Sequence, residues 1–122
     1  MDAGNLPAPK HSFPKSARLV QRSEFERVSR QGIRRSGQWI AVEVRVRPGA
    51  TLPARLGITA SRKFGKSHDR NRFKRLVRES FRLIRRQLLA GLEINVRPRY
   101  RPDRTPTLDE IQKELLQLCA MG

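Results

Sequence analysis

Apolar positions along the chain fall into a few periodic runs, and each run predicts an element. The first follows Ser23-Glu24-Phe25-Glu26, where a serine N-cap with glutamate three residues on can satisfy two orphan amides of a new helix. Phe25 and Val28 then make a narrow apolar edge, and Gly32 is the natural stop. Between Gln38 and Arg47 the period changes, with Ile40, Val42, Val44 and Val46 alternating with Trp39, Ala41, Glu43 and Arg45. Such alternation predicts a strand with one buried face. The segment RPGATLPA turns the chain. A second alternation then sets Leu56, Ile58 and Ala60 against Arg55, Gly57, Thr59 and Ser61. These two strands are expected to pair as an antiparallel hairpin. Its second face is small and polar apart from Trp39, which leaves a shallow trough open to a ligand or another element.

Helical spacing returns in Phe73, Leu76, Val77, Phe81, Ile84 and Leu88, predicting a long helix from about Asp69 to Ala90, closed by Gly91. Glu93 to Arg97 supplies a third strand, and RPRYRPDRTP a loop rich in proline and arginine. A last helix starts at the capping box Thr107-Leu108-Asp109-Glu110 and carries Leu108, Ile111, Leu115 and Leu118 as its stripe. Strands interleaved with helices in so short a chain predict an α+β fold. The expected form is a two-layer sandwich whose small, mostly antiparallel sheet has helices packed on one face. Residues 1–15, with three prolines and mostly small or polar side chains, read as a flexible arm ahead of a single domain over 16–122.

Composition narrows the partner. The 122 residues are 37% apolar, enough for one modest core and too few for two ordinary domains. The formal net charge is +16, a field that draws polyanions. Arginine dominates the basic residues, and its planar fork suits phosphates and base faces better than an ammonium does. No apolar run approaches the length of a membrane span, the start lacks a signal-peptide core, and a cytoplasmic protein is expected. The single cysteine, Cys119, excludes an internal disulfide and reads as a small apolar residue near a helix end.

The charge is concentrated. Residues 60–91 hold 11 basic and 2 acidic side chains, whereas residues 92–122 hold 5 of each. On the long helix Lys74, Arg75, Arg78, Arg82, Arg85 and Arg86 occupy the arc opposite the apolar stripe, with Glu79 and Arg72 at its margin. Like charges on one arc repel, so folding alone gives little reason for them, and an anionic partner does. An ordinary solvated face is the plainer reading. Composition leaves DNA and RNA both open, although no helix-turn-helix pair, zipper or Cys/His finger is present to place the helix in a DNA groove.

At residues 61–82, SRKFGKSHDRNRFKRLVRESFR, the chain resembles the bacterial ribonuclease P protein family. The motif is a Ser-basic-basic-x-Gly turn (Ser61, Arg62, Lys63, Gly65), then Arg70-Asn71-Arg72, then a basic amphipathic helix with Lys74, Arg75 and Arg78. Flanking segments RLVQRSEFERVSRQG, ARLGITAS and TLDEIQKELLQL are similar too, extending the resemblance from about residue 16 to 118. It implies the family's α/β sandwich with a left-handed βαβ crossover. It also implies a protein subunit that binds a catalytic RNA and the 5′ leader of precursor tRNA and assists endonucleolytic removal of that leader. One protein per RNA subunit is expected, with Mg²⁺ held mainly by the RNA and substrate.

Carried onto these positions, the RNA-binding candidates are Arg62, Lys63, Lys66, Arg70, Asn71, Arg72, Lys74, Arg75, Arg78 and Arg82. Asn71 reads equally as a local capping residue. The leader cleft, between the first helix and the open sheet face, takes Phe25, Trp39, Arg45, Arg55, Thr59 and Ser61. An aromatic ring there can stack on an unpaired base without demanding its identity, while Phe25 and Trp39 also read as core packing. Ser29 and Glu43 depart from the family, standing where relatives often carry aromatics. Glu43 is expected in a rim salt bridge with Arg45 or Arg55, and is not assigned to a metal. No catalytic residue is expected in the chain. His11 and His68 lack an acid-base setting, and Asp109 and Glu110 are explained by helix capping, so the chemistry is expected elsewhere, and the resemblance assigns it to Mg²⁺ held by the RNA subunit.

Overall fold

The alternating segments assemble into one four-stranded sheet. A computed structural model describes residues 18–19, 21–47, 49 and 53–120, and the expected arm at 1–15 lies outside the described residues. Along the chain come α1 (Arg22–Gln31), β1 (Ile33–Ser36), β2 (Ile40–Val46), β3 (Arg55–Ile58), α2 (Ser67–Ile84), β4 (Leu92–Pro98) and α3 (Leu108–Leu118). The sheet order is β1-β2-β4-β3. β1 with β2 and β2 with β4 are antiparallel, and β3 with β4 is parallel. The sheet is therefore mostly antiparallel, with one βαβ unit made of β3, α2 and β4.

The expected hairpin of β2 with β3 does not form, because β4 lies between them. The reason is burial: Leu92 to Asn95 and Val96 are all buried, so β4 has covered faces on both sides and takes a central place. β3, only four residues long, is left toward the rim, where Arg18 bridges to Leu56. β1 is invisible to pattern, since Ile-Arg-Arg-Ser has no apolar period and its burial is slight.

One sheet face, built from Ile40, Val42, Val44, Leu56, Ile94 and Val96, packs against Phe73, Val77, Phe81 and Ile84 of α2 and Ile111 and Leu115 of α3. This is the two-layer sandwich that the periodicity predicts. α1 differs: it lies across the opposite face, with Phe25 set over Gly57 and Ser29 bonded to Glu43. Only a residue without a side chain allows that approach, since a Cβ at Gly57 would meet the Phe25 ring, with Cζ at 2.9 Å.

The helix ends follow local chemistry. α1 starts two residues earlier than expected: Glu24 accepts from the Gln21 amide at 3.0 Å, so Gln21 and not Ser23 is the N-cap. Thr107 and Glu110 form the predicted reciprocal box on α3, at 3.2 and 2.9 Å. α2 stops at Ile84 and tightens into a 3-10 turn over Arg85–Gln87, which carries Leu88 into the core; Gly91, at φ 82°, then turns the chain into β4. Cys119 is buried, and burial foremost pushes its thiol up to about 12, with Arg35 opposing, so it is an inert core residue.

Candidate nucleic-acid interface

α2 presents the cationic arc as a surface. Its buried side is Phe73, Val77, Ser80, Phe81 and Ile84, which leaves Asn71, Arg72, Arg75 and Arg78 exposed on the other. Lys66, the N-cap residue, and Arg62 and Lys63, in the preceding turn, are exposed as well. None of Arg72, Arg75 and Arg78 has an acidic partner among the described residues. Two members of the expected arc are committed elsewhere: Arg82 pairs with Glu79, and Arg85 donates from Nε to the Ala54 carbonyl at 2.7 Å. Arg70 is half-buried, with Nε lacking a hydrogen-bond partner. Asn71 is exposed in the second turn and is not the cap, which is Lys66.

The other sheet face is where the expected cleft lies, and α1 lies across part of it. Under α1, Glu93 holds Arg45 at 2.8 Å and Arg55 at 3.8 Å, while Arg45 also reaches Gln31 and Arg55 reaches Glu24. Arg45 and Arg55 thus clamp α1 to the sheet and are not offered to a ligand. Phe25 lines a cavity of about 160 Å³ with Arg18, Ile58, Lys74 and Arg78, which joins the edge of the cationic arc to the cleft. Beyond α1 the trough continues past Thr59, Ser61, Lys63 and Arg97, a further cavity of about 300 Å³. Trp39 is not part of it. That ring sits near the far end of β4, edge-on to Tyr100 at 6.0 Å, with Arg99 and Arg104 around it.

The floor of the trough is polar and ordered by register. Arg34, Glu43, Asn95 and Gly57 are direct partners across the four strands. Glu43, 4% exposed, accepts from Ser29 at 3.2 Å, Arg34 at 3.1 Å, Asn95 at 3.2 Å and Arg97 at 3.4 Å. Burial, the largest single influence, pushes its carboxyl up, but Asn95, Arg97, Ser29 and Arg34 together outweigh it and hold the group below its ordinary 4.5. The expected rim pair with Arg45 or Arg55 is therefore replaced by Arg34 and Arg97, because alternation puts residues 34 and 97, one register row or its neighbour away, beside residue 43 on the same face. Sequence pattern could have found Arg97, since the alternation Glu93, Asn95, Arg97 already assigns it to that face.

With both oxygens taken by four donors, two of them cationic, Glu43 does not fit a Mg²⁺ ligand. Among the described residues no group of three or more His, Cys, Asp or Glu side chains comes together. His68 is exposed, 3.3 Å from Asp69. Glu114 is explained by the fold: its carboxylate accepts the amides of Gln38, Trp39 and Ile40 at 3.0, 2.7 and 2.7 Å. No helix is long and apolar enough to cross a membrane among the described residues.

The close seat of Phe25 on Gly57 gives a direct check. Gly57→Ala is expected to lower stability by about 1–3 kcal/mol through overpacking, displacing the ring and with it α1. Thermal unfolding reads this, and an unchanged midpoint would show that Phe25 does not rest where the geometry puts it.

Comparison with known proteins bears on this surface. A family model described as Ribonuclease P matches residues 13–121. The ribonuclease P protein component of Chlamydia trachomatis serovar L2 is 42% identical over 107 residues, spanning 87% of this chain and 85% of that protein. Among solved structures, the RNase P protein from Thermotoga maritima superposes with a TM-score of 0.71 at 31% identity, covering 84% of this chain and 94% of that one. A Staphylococcus aureus RNase P protein mutant, described as having defective mRNA degradation activity, gives 0.73 at 28% identity, covering 85% and 86%.

Proposed function

The chain belongs to the ribonuclease P protein family, and from that premise we propose that it binds a catalytic RNA through the α2 arc and the 5′ leader of precursor tRNA along the trough. Membership makes it a component of an endoribonuclease with an RNA partner. The observation that carries the finer reading is the α2 surface. Three guanidinium groups at Arg72, Arg75 and Arg78 stand exposed with no carboxylate partner among the described residues, one edge of them opening onto the Phe25 cavity. A crowded cationic face costs electrostatic energy in isolation and becomes favourable against phosphates.

In this reading the arc neutralises packed phosphates of the RNA subunit, with the planar forks of arginine clamping phosphate oxygens. The leader runs single-stranded from the Phe25 cavity over Thr59, Ser61 and Lys63, where a ring and scattered cations hold it without reading its sequence. Catalysis belongs to the RNA, which together with the substrate would hold Mg²⁺ and supply the activated water. The protein removes no proton and holds no metal of its own. One protein serves one RNA, in the cytoplasm.

Reconstitution tests this. Protein purified free of RNA is expected to leave precursor tRNA and messenger RNA intact, and to raise cleavage of precursor tRNA when the structured RNA that copurifies with it is added back at moderate salt. Leader removal by the protein alone would overturn the division of labour. Copurification of ribosomal RNA or bulk DNA in place of one long structured RNA would point to a different ribonucleoprotein role.

A further inference from the structure

Resting on the reading that the partner is RNA, we infer that the pocket walled by Trp39 and Tyr100 is a second nucleotide site, which takes one unpaired base from the RNA docked on α2. It is separate from the trough beneath α1. The pocket encloses about 270 Å³, room for a single base and not for a duplex.

The indole is held in place before anything binds. Glu114 of α3 gathers the three consecutive amides of Gln38, Trp39 and Ile40, and the Trp39 carbonyl accepts from the Arg99 amide at 2.8 Å. Arg99 also donates from Nη1 to the Gly37 carbonyl at 2.8 Å, closing the turn from the other side. Tyr100 meets the indole edge-on and is itself wedged against Phe64 and Phe73 at 5.2 and 5.9 Å. A ring fixed in this way loses little conformational freedom when a base stacks on it, so more of the stacking energy appears as affinity.

The rim has the charge that a nucleotide needs. Arg101 and Arg104 are exposed, with no side-chain hydrogen bond or ion pair among the described residues. Both line the pocket, with Asp103 between them as an acceptor suited to a ribose hydroxyl or a base amino group. Simple packing explains the buried side of Trp39, but not two unpaired guanidinium groups at its open side.

Position selects the source of the base. The loop carrying Arg101 and Arg104 rests on the start of α2, where a Cβ on Gly65 would lie 3.0 Å from Pro102 Cγ. The Tyr100 hydroxyl, pushed up to about 12 chiefly by burial, also senses the charges of Arg72 and Asp69. An RNA strand clamped at Arg72 reaches this pocket without leaving the protein surface. The leader, in the trough on the other side of Tyr100, is the competing source.

Trp39 is the chain's one tryptophan, so its emission reports the site directly. The full chain would be titrated with the structured RNA that copurifies with it, a short uridine oligonucleotide, an abasic ribose-phosphate oligomer of equal length, and a leader oligonucleotide. Binding is followed in parallel by anisotropy. The copurified RNA and the uridine oligonucleotide are expected to quench Trp39, and the abasic oligomer to bind without quenching. Excess leader should not relieve the quenching by the copurified RNA. Arg101→Ala with Arg104→Ala is expected to weaken the quenched complex roughly tenfold through lost phosphate contacts, with thermal unfolding unchanged. RNA bound by anisotropy with Trp39 emission unmoved would sink the pocket and leave the RNA partnership standing. Quenching by the leader alone would overturn the assigned source, and equal quenching by the abasic oligomer would overturn stacking. No binding of any RNA would remove the functional reading itself.

Discussion

Replacing Arg70 and Arg72 together with alanine is expected to weaken binding of the structured RNA by roughly one to two orders of magnitude near physiological salt. The slope of log affinity against log salt should become shallower by about one for each phosphate that is no longer neutralised. Arg70 closes the first turn of α2 and Arg72 follows in the second, near the helix end whose dipole favours an anion. The fold should tolerate the change. Arg72 is exposed, and Arg70 has a buried Nε with no hydrogen-bond partner, so trimming it removes an unsatisfied donor and no bond that the described residues make. Filter binding at several salt concentrations, with thermal unfolding alongside, measures both halves. An unchanged slope would mean that these arginines do not face phosphate in the complex, and a collapsed unfolding midpoint would mean that they serve the fold.

That surface is legible in the sequence because it depends on one period. Phe73, Val77, Phe81 and Ile84 fix which side of α2 is buried, and every other residue of the helix follows from them by rotation. The capping box at Thr107 is equally readable, since its two hydrogen bonds join residues three apart. Pairing between strands is not. Alternation states which side chains share a face but not which strand lies beside which, so β2 and β3, neighbours in sequence, are expected to pair although β4 in fact separates them. Burial of β4 on both faces decides the order, and Glu93 and Asn95 conceal it by making the strand look half polar.

The same gap explains the cleft. Arg45, Arg55, Thr59 and Ser61 are expected there because alternation sets them on polar faces; Arg45 and Arg55 lie in β2 and β3, whereas Thr59, bonded to Asn95, and Ser61 lie past the end of β3. What the pattern omits is how the first helix is held, with Glu24 and Gln31 of α1 reaching down onto Arg55 and Arg45 and removing them from the open surface. Trp39 falls outside the cleft for a different reason: it precedes β2 at a turn pinned by Glu114 from a helix 75 residues away in sequence, and no local period reports such a contact. The departure at Glu43 likewise becomes intelligible only with β1 and β4 in place, since its cationic partners come from those strands.

Glu43→Ala is expected to produce a large loss of stability. Asn95 Nδ2, buried beside it, would lose its acceptor, which costs about 1–3 kcal/mol, and the vacated space adds to that. Arg34 and Arg97 contribute less, because their side chains are 74% and 50% exposed and can turn to water. A total near 2–3 kcal/mol corresponds to a fall of roughly 10–20 °C in Tm for a domain of this size. Glu43→Gln keeps the shape and an acceptor for Asn95, so it should fall between. The two variants also separate charge from shape through pH. The folded carboxyl lies below its ordinary 4.5, so its charged form adds stability that is complete above that value and is lost as pH falls through the folded value. The wild-type chain should therefore lose more stability than Glu43→Gln when acidified from about pH 6 to about pH 3, a difference in slope that follows from a single depressed carboxyl. Urea unfolding across that range reads it. Parallel curves for the two proteins would show that Glu43 gains nothing from Arg34 and Arg97, and that its place in the trough rests on hydrogen-bonding shape alone.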